Sequence, residues 1–497
     1  WDILMEAIEF WKGKTAVDKA RELGTAVMGS WYDDLSAAGV PRYDWKAQLP
    51  GALMYERVVN QGLRDFIKEA EERQQAWVEN KDDDFEKLYF WQAADMSGKA
   101  VIHFARRHAM HLKELAAKEK DPERRQELEE MAQICEWVPE NPARTFREAL
   151  QSVVLVHLAT KLETPHYPPT GFGLMDQYLY PFFKKDLEEG RLSLDQAANL
   201  IGDFLLYAAR LEWIVEMSWR DYMQKGVLSS VGLAGTNQNG EEISNELTYL
   251  FLHIAGLSGY AEPHLAIRYS KDTPRWLMRK AIETNIKVKG GVPQFQNGDH
   301  AIEYMMKRGV SQESANGWIT HGCSQGMPAD QRSSMATDYL NVPLCIDLAL
   351  HNGIASKTGK EIGLKTGDPR HFKTFDEFYD AFKKQVEYVF SRQMWYDRLV
   401  DQVKPKYYQQ PLVSMLLPGC LEKGKDFAQG GLSHYRITLR KDRGIIPAAD
   451  SLTAVKKLIY EDSNKLTMDG LLEAMDSNFA GDSGEQIRQM CFSVAKY

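Results

Sequence analysis

The stretch "WITHGCSQGMPADQRSS", residues 318–334, places Cys323 between Gly322 and Gly326, with Gln325 two positions on and Arg332 nine positions on. Glycine lets a backbone approach a partner closely and turn in ways barred to residues with a side chain. A cysteine held in such a loop is accessible and geometrically constrained, whereas a structural cysteine packs among apolar neighbours. Three readings compete for Cys323: an apolar filler in a turn, a thiolate nucleophile, or a sulfur carrying an unpaired electron. The second needs a base, and His321, two positions earlier on an extended segment, points the same way. The third needs a radical source elsewhere.

Working outward, "DHAIEYMMKR" (299–308) predicts a short helix stopped by Gly309, and a second short helix starts near Ser311. "HLAIRYS" (264–270) alternates with period two and leads into a helix with Pro274 in its first turn. "HYRITLR" (434–440) sets Tyr435, Ile437 and Leu439 on one face of a strand. "TFDEFYDAFKKQVEYVF" (374–390) opens on the capping box Thr374-x-x-Glu377 and carries an apolar stripe at helical spacing, and Ser193-x-x-Gln196 is a second capping box. Residues 1–160 read as helices, one of them capped by Asp121 with Pro122 at its first position. The chain thus divides into an N-terminal helical region, 1–160, and an α/β region, 161–497, whose strands alternating with helices indicate a barrel.

The bulk numbers exclude several classes. Of 497 residues, 44% are hydrophobic and 26% charged, so a large core is available. A net charge of -9 disfavours an electrostatic nucleic-acid binder. No apolar run approaches the roughly 20 residues a membrane span needs, and residues 150–160 read as a buried helix. The 5 cysteines lie at neither metal nor redox spacings, and their odd number points to a reducing, cytoplasmic compartment. His103, His108 and His111 share one helix at spacings that do not converge, so no metal site is expected. "GLAGTNQNG" (232–240) lacks a phosphate-loop spacing, and Asn239-Gly240 reads as a tight turn. Trp1 at the start and the regular, uncapped pattern of 486–497 lead us to expect a piece of a longer chain.

Several separated segments resemble the glycyl radical enzymes. They are "GLMDQYLYPFFKKDLEEGRLS" (173–193), "VGLAGTNQNGEEISNELTYLFL" (231–252), "PQFQNGDHAIEYMMKRGVSQESANGWITHGCSQ" (293–325), "FAQGGLSHYRITLRKDRGIIPAADSLTAVKKLIYED" (427–462) and "QIRQMCFSVAKY" (486–497). They follow one another in the family's order. The resemblance implies an α/β fold, a ten-stranded β/α barrel of two antiparallel five-stranded halves with the cysteine loop inside. It assigns Cys323 the thiyl role: a backbone glycyl radical takes the thiol hydrogen, and the thiyl takes one from substrate. It implies no bound cofactor, a glycyl radical installed by a separate radical SAM activating enzyme, a dimer of catalytic subunits and small accessory subunits. The family's radical-bearing Arg-x-x-Gly-Tyr loop does not occur among these residues, so the chain is expected to be a fragment, inactive alone.

Family members that eliminate water or amines, or decarboxylate arylacetates, carry Cys-x-Glu, whose carboxylate moves a proton. Gln325 stands at that position, and an amide is no general base near neutral pH. This points to fumarate addition, which needs only hydrogen-atom transfers, and the loop is similar to that of the benzylsuccinate and alkylsuccinate synthases. The expected reaction adds a hydrocarbon C–H, of an alkane sooner than of toluene, to fumarate and gives a substituted succinate. Holding the dicarboxylate needs an arginine fork, so Arg332 with Gln325, Ser333 and Ser334 is the substrate-binding expectation, with Trp318 and Met327 on the apolar side. The alternatives are a glycyl radical decarboxylase or dehydratase, with another carboxylate replacing the one absent at Gln325, and a catalytically silent barrel acting as a binding or assembly partner.

Overall fold

The computed structural model describes residues 2–39, 48–163, 171–210, 229–259, 262–322, 325–336, 340–432, 438–439, 442–462 and 465–494. They form two compact units, one built from Gln48–Ser334 and Gln409–Ile437, the other from Trp1–Ala47, Met335–Tyr408 and Thr438–Tyr497.

The first unit opens with β1 (Gln48–Pro50) and continues through helices Tyr55–Gln61, Leu63–Asn80, Phe85–Lys118, Pro122–Trp137 and Phe146–Glu163. Local chemistry sets their ends: the Asp121 side chain accepts from the Glu123 N–H, and Pro122 starts the helix where no donor is needed. The helix over 150–160 is buried, and its His157 Nδ1 meets the Tyr55 hydroxyl at 2.7 Å inside the core. Burial lowers the His157 pKa to about 3, so the ring stays neutral there. Among the described residues, no helix is long and apolar enough to cross a membrane.

A parallel four-stranded sheet follows, in the order β2 (Gly171–Leu174), β3 (Ser230–Leu233), β4 (His264–Tyr269) and β5 (Gln294–Asn297). Parallel neighbours need a crossover. Helix Leu194–Arg210 lies between β2 and β3, Glu246–Ser258 between β3 and β4, and Arg275–Lys287 between β4 and β5. The capping box read at Ser193 and Gln196 is present at the first of these, with both reciprocal hydrogen bonds formed. The strand read at 264–270 is also there, but covered on both faces: Leu265, Ala266, Ile267 and Arg268 are all buried, as expected of a parallel sheet.

In the second unit the helix read at 374–390 runs from Phe375 to Tyr407, behind the full Thr374–Glu377 capping box. Its Phe378, Phe382 and Val389 enter the core, and Tyr396 stacks on Tyr32 at 3.8 Å between ring centroids. Two short parallel pairings complete this unit: Thr438–Leu439 with Met335–Ala336, and Asp442–Arg443 with Leu340–Asn341. The remainder of the strand read at 434–440 lies outside the described residues.

The architecture is α/β. The expected ten-stranded barrel is not what the described residues display, which is one four-stranded parallel sheet with two- and three-stranded pieces elsewhere. Period-two patterning reports which residues can be extended; closure depends on pairings between distant segments that no local pattern records.

Candidate active site

Residues 319–321 and 325–327 form the two arms of an antiparallel hairpin. Strand β6 (Ile319–His321) pairs with β7 (Gln325–Met327), and Ile319 faces Met327, Thr320 faces Gly326 and His321 faces Gln325. Cys323 and Ser324 lie outside the described residues, but Gly322 before them and Gln325 after them are placed, and Gly322 has the left-handed φ of 56° that favours glycine.

The hairpin rests on one face of the sheet. A Cβ on Gly232 of β3 would come within 3.0 Å of the Thr320 methyl, and one on Gly171 within 3.0 Å of the Thr320 carbonyl. Side-chain-free positions on β2 and β3 therefore let β6 lie close to them. Arg268 of β4 fixes the root of the hairpin: its guanidinium donates to the carbonyls of Ala234 and Thr236 and to that of Trp318. Arg268 is wholly buried, and burial lowers its pKa to about 10, partly offset by Asp176. It lies over the buried Trp318 ring, 5.2 Å from its centroid.

Register shows what else shares this face. Ser230 lies beside His264, Gly232 beside Ala266, Ala266 in turn beside Gln294, and Arg268 beside Gln296. Since alternate residues point the same way, His264, Arg268, Gln294 and Gln296 all face the hairpin. His264 Nε2 stands 3.3 Å from Glu262 Oε1, and the Gly322 backbone lies against the His264 ring. Burial raises the Glu262 pKa to about 7, opposed by the backbone N–H of His264, and burial lowers that of His264. Glu262 Oε2, His264 Nδ1, Gln294 Oε1, both amide atoms of Gln296 and Thr320 Oγ1 are buried and have no hydrogen-bond partner. Buried polar atoms are ordinarily paired, so this concentration is unusual for a packed core and leaves hydrogen-bonding capacity open on the face towards the hairpin.

The sequence-read candidates divide. Gln325 is half-buried on β7 opposite the buried His321, so these two are brought together. Arg332 is not free to grip a dicarboxylate. Its Nη1 donates to Glu56 Oε2 at 2.9 Å and to the Leu53 carbonyl at 2.9 Å, its Nη2 to Glu56 Oε1 at 2.5 Å, and its Nε to the Ala329 carbonyl at 2.9 Å. Ser333 belongs to the strand Ser333–Ala336, with its side chain and that of Ser334 outside the described residues. Trp318 and Met327 are buried, the former packed over Gly326. Glu262, His264, Arg268, Gln294 and Gln296 escaped notice. The one signal for them was a histidine and an arginine on the same face of an otherwise apolar strand.

Known proteins bear on this geometry. Isethionate sulfite-lyase of Nitratidesulfovibrio vulgaris is 31% identical over 508 residues, an alignment covering 100% of this chain and 61% of the relative. The solved hydroxyproline dehydratase of Clostridioides difficile, with trans-4-hydroxy-L-proline bound, superposes with a TM-score of 0.86 at 26% identity, over 98% of this chain and 64% of that one. A solved structure concerned with 1,2-propanediol dehydration in Roseburia inulinivorans gives 0.87 at 26% identity, over 98% and 61%. The chain thus spans about three fifths of the length of the curated relatives it matches.

These relatives overturn fumarate addition to a hydrocarbon, and with it the alkylsuccinate and benzylsuccinate assignments: they are a sulfite-lyase and dehydratases. The error has a physical source. An amide at Gln325 excludes proton transfer at that one position, not at every position facing the hairpin. Pyruvate formate lyase-like sequence runs through residues 2–497, and the chain belongs to that family, the glycyl radical enzymes.

Proposed function

We propose that the complete protein is a glycyl radical lyase that eliminates water or another small group from a polar substrate, with Cys323 as the residue that takes and returns the hydrogen atom. The observation carrying this reading is the placement of the residues on either side of Cys323: a hairpin drawn down onto the glycines of β2 and β3, facing buried polar atoms without partners. An apolar hydrocarbon would leave those atoms unpaired, whereas a hydroxylated or amino-bearing substrate would satisfy them.

In this reading a glycyl radical, installed by a separate radical SAM activase, supplies the unpaired electron. The Cys323 sulfur takes a hydrogen atom from a carbon that bears a hydroxyl or amino group. The bond from the neighbouring carbon to the leaving group breaks, and the electron pair departs with that group. The hydroxyl or amino group loses a proton, the leaving group gains one, and Cys323 returns its hydrogen atom to the neighbouring carbon. The sum is redox-neutral. The ten-stranded barrel belongs to the same proposal.

The test uses the complete, anaerobically activated protein with isethionate, 1,2-propanediol and trans-4-hydroxy-L-proline. We expect elimination from at least one, lost in Cys323→Ser while the glycyl radical signal persists. Addition of a hydrocarbon to fumarate, or undiminished turnover in Cys323→Ser, would overturn the reading.

A further inference from the structure

Elimination moves a proton, and Gln325 cannot carry it. Resting on the elimination reading, we propose that His264 is the proton-transferring residue of this site and that Glu262 is the carboxyl that positions it, a pair standing in for a carboxylate at position 325.

Place is the first argument. His264 is the first residue of β4 and shares its inward face with Arg268, which holds the hairpin root. The ring lies against the backbone of Gly322, the residue preceding Cys323. A proton carrier is useful only where the radical carbon forms, and no other imidazole–carboxyl pair among the described ion pairs adjoins this turn.

Free valence is the second. Nε2 of His264 lies 3.3 Å from Glu262 Oε1, while Nδ1 is buried and meets no partner at hydrogen-bond geometry. A histidine with one nitrogen held by a carboxyl and the other open is set up to exchange a proton with a substrate. Gln294 Oε1 and Thr320 Oγ1, also buried and unpaired, are available to orient its polar groups.

Electrostatics is the third. Burial favours the uncharged form of both partners, raising Glu262 and lowering His264, while the Gly322 backbone supports the imidazolium. Burial thus disfavours an imidazolium and a carboxylate held apart, and Nε2 and Oε1, 3.3 Å from each other, are placed to share a proton. In the reaction, His264 Nδ1 accepts the proton released by the substrate hydroxyl or amino group and gives it to the departing group, so the pair ends as it began.

The experiment compares the complete, activated parent with His264→Gln, Glu262→Gln and His264→Gln/Gln325→Glu on the same three probes, with the glycyl radical quantified by electron paramagnetic resonance. His264→Gln is expected to keep the radical and still wash deuterium from labelled substrate, yet to eliminate at least about 100-fold more slowly. Glu262→Gln is expected to lose about 10-fold and shift the pH profile. Restoring a carboxylate in the double variant is expected to recover at least about 10-fold of the loss, which repair of mere structure would not do. Parent-like rates and an unchanged pH profile in His264→Gln overturn the proposal and leave the elimination reading standing. A second arm needs no turnover: Glu163 and Glu262 both titrate near pH 7, so infrared pH-difference spectra of the unactivated protein are expected to show two carboxyls in that range, of which one vanishes in Glu262→Gln and moves in His264→Gln while the Glu163 signal stays in both. No change in either variant overturns the shared proton. A parent that eliminates from none of the probes, with these spectral changes present, fails the elimination reading instead.

Discussion

Arg332 and Glu56 form a two-pronged ion pair, Nη1 to Oε2 at 2.9 Å and Nη2 to Oε1 at 2.5 Å. The planar fork of arginine matches a carboxylate in this way, and here the carboxylate is the protein's own. Arg332 is 14% exposed and Glu56 41%, so solvent screens part of the attraction. We predict that Arg332→Ala costs about 1–3 kcal/mol of stability, chiefly through the orphaned Leu53 and Ala329 carbonyls. Arg332→Lys should recover part of this. Chemical denaturation measures both, and a raised substrate KM at unchanged stability would show the arginine to be a ligand after all.

Gly232 tests the seating of the hairpin. An added Cβ meets the Leu174 side chain at 2.9 Å, the Thr320 methyl at 3.0 Å and the Gly173 carbonyl at 3.1 Å. The side chains can yield, the carbonyl much less. Gly232→Ala should cost about 1–3 kcal/mol, and Gly232→Val more. In both, hydrogen exchange should accelerate at β6 and β7; unchanged protection there would mean that the hairpin does not depend on this contact.

Arg268 is the harsher case. Replacing it with methionine keeps the bulk but leaves the buried carbonyls of Ala234 and Trp318 and the half-buried one of Thr236 without their donor. Each such loss costs about 1–3 kcal/mol, so Arg268→Met should destabilise by at least about 3 kcal/mol. Arg268→Lys should fall between, since one ammonium cannot span all three. Equilibrium unfolding in urea checks the order parent, lysine, methionine.

The second unit carries a pH-dependent contact. His351 lies 3.0 Å from Asp347 and 3.3 Å from Asp476, and its hydrogen bond to Asp347 raises its pKa to about 9. The folded state then holds a proton that the unfolded state has released between about pH 6.5 and 9. The resulting stabilisation is fully present below about pH 6.5 and is lost as pH rises through 9. Screened by solvent at the exposed Asp476, it should amount to about 1–2 kcal/mol. His351→Asn should flatten the fall of thermal stability between about pH 7.5 and 9.5, a window above the range in which Glu163 and Glu262 titrate. An equal fall in parent and variant would remove His351 as its source.

Helix ends were legible because their chemistry is local: Asp121 with Pro122, Ser193 with Gln196 and Thr374 with Glu377 each act within one turn. The glycine-flanked cysteine was legible as a constrained loop for the same reason. Arg332 shows the limit. The need for a carboxylate beside an arginine fork was readable, but the carboxylate that meets it is 276 residues away, on a helix brought there by packing. Glu262 and His264 show it again. Nothing in "EPHLAIRY" announces that its histidine will lie against Gly322, because that contact exists only once β6 has settled on the glycines of neighbouring strands.

His264 and Arg268 sit on one strand, four residues apart, one against the turn of the hairpin and the other gripping its root. A strand is stiff along its length, so when the sheet breathes, both ends of the hairpin are carried with it. Shared attachment to one strand therefore gives the imidazole and the hairpin root a common frame of reference, which a site assembled from independent loops lacks.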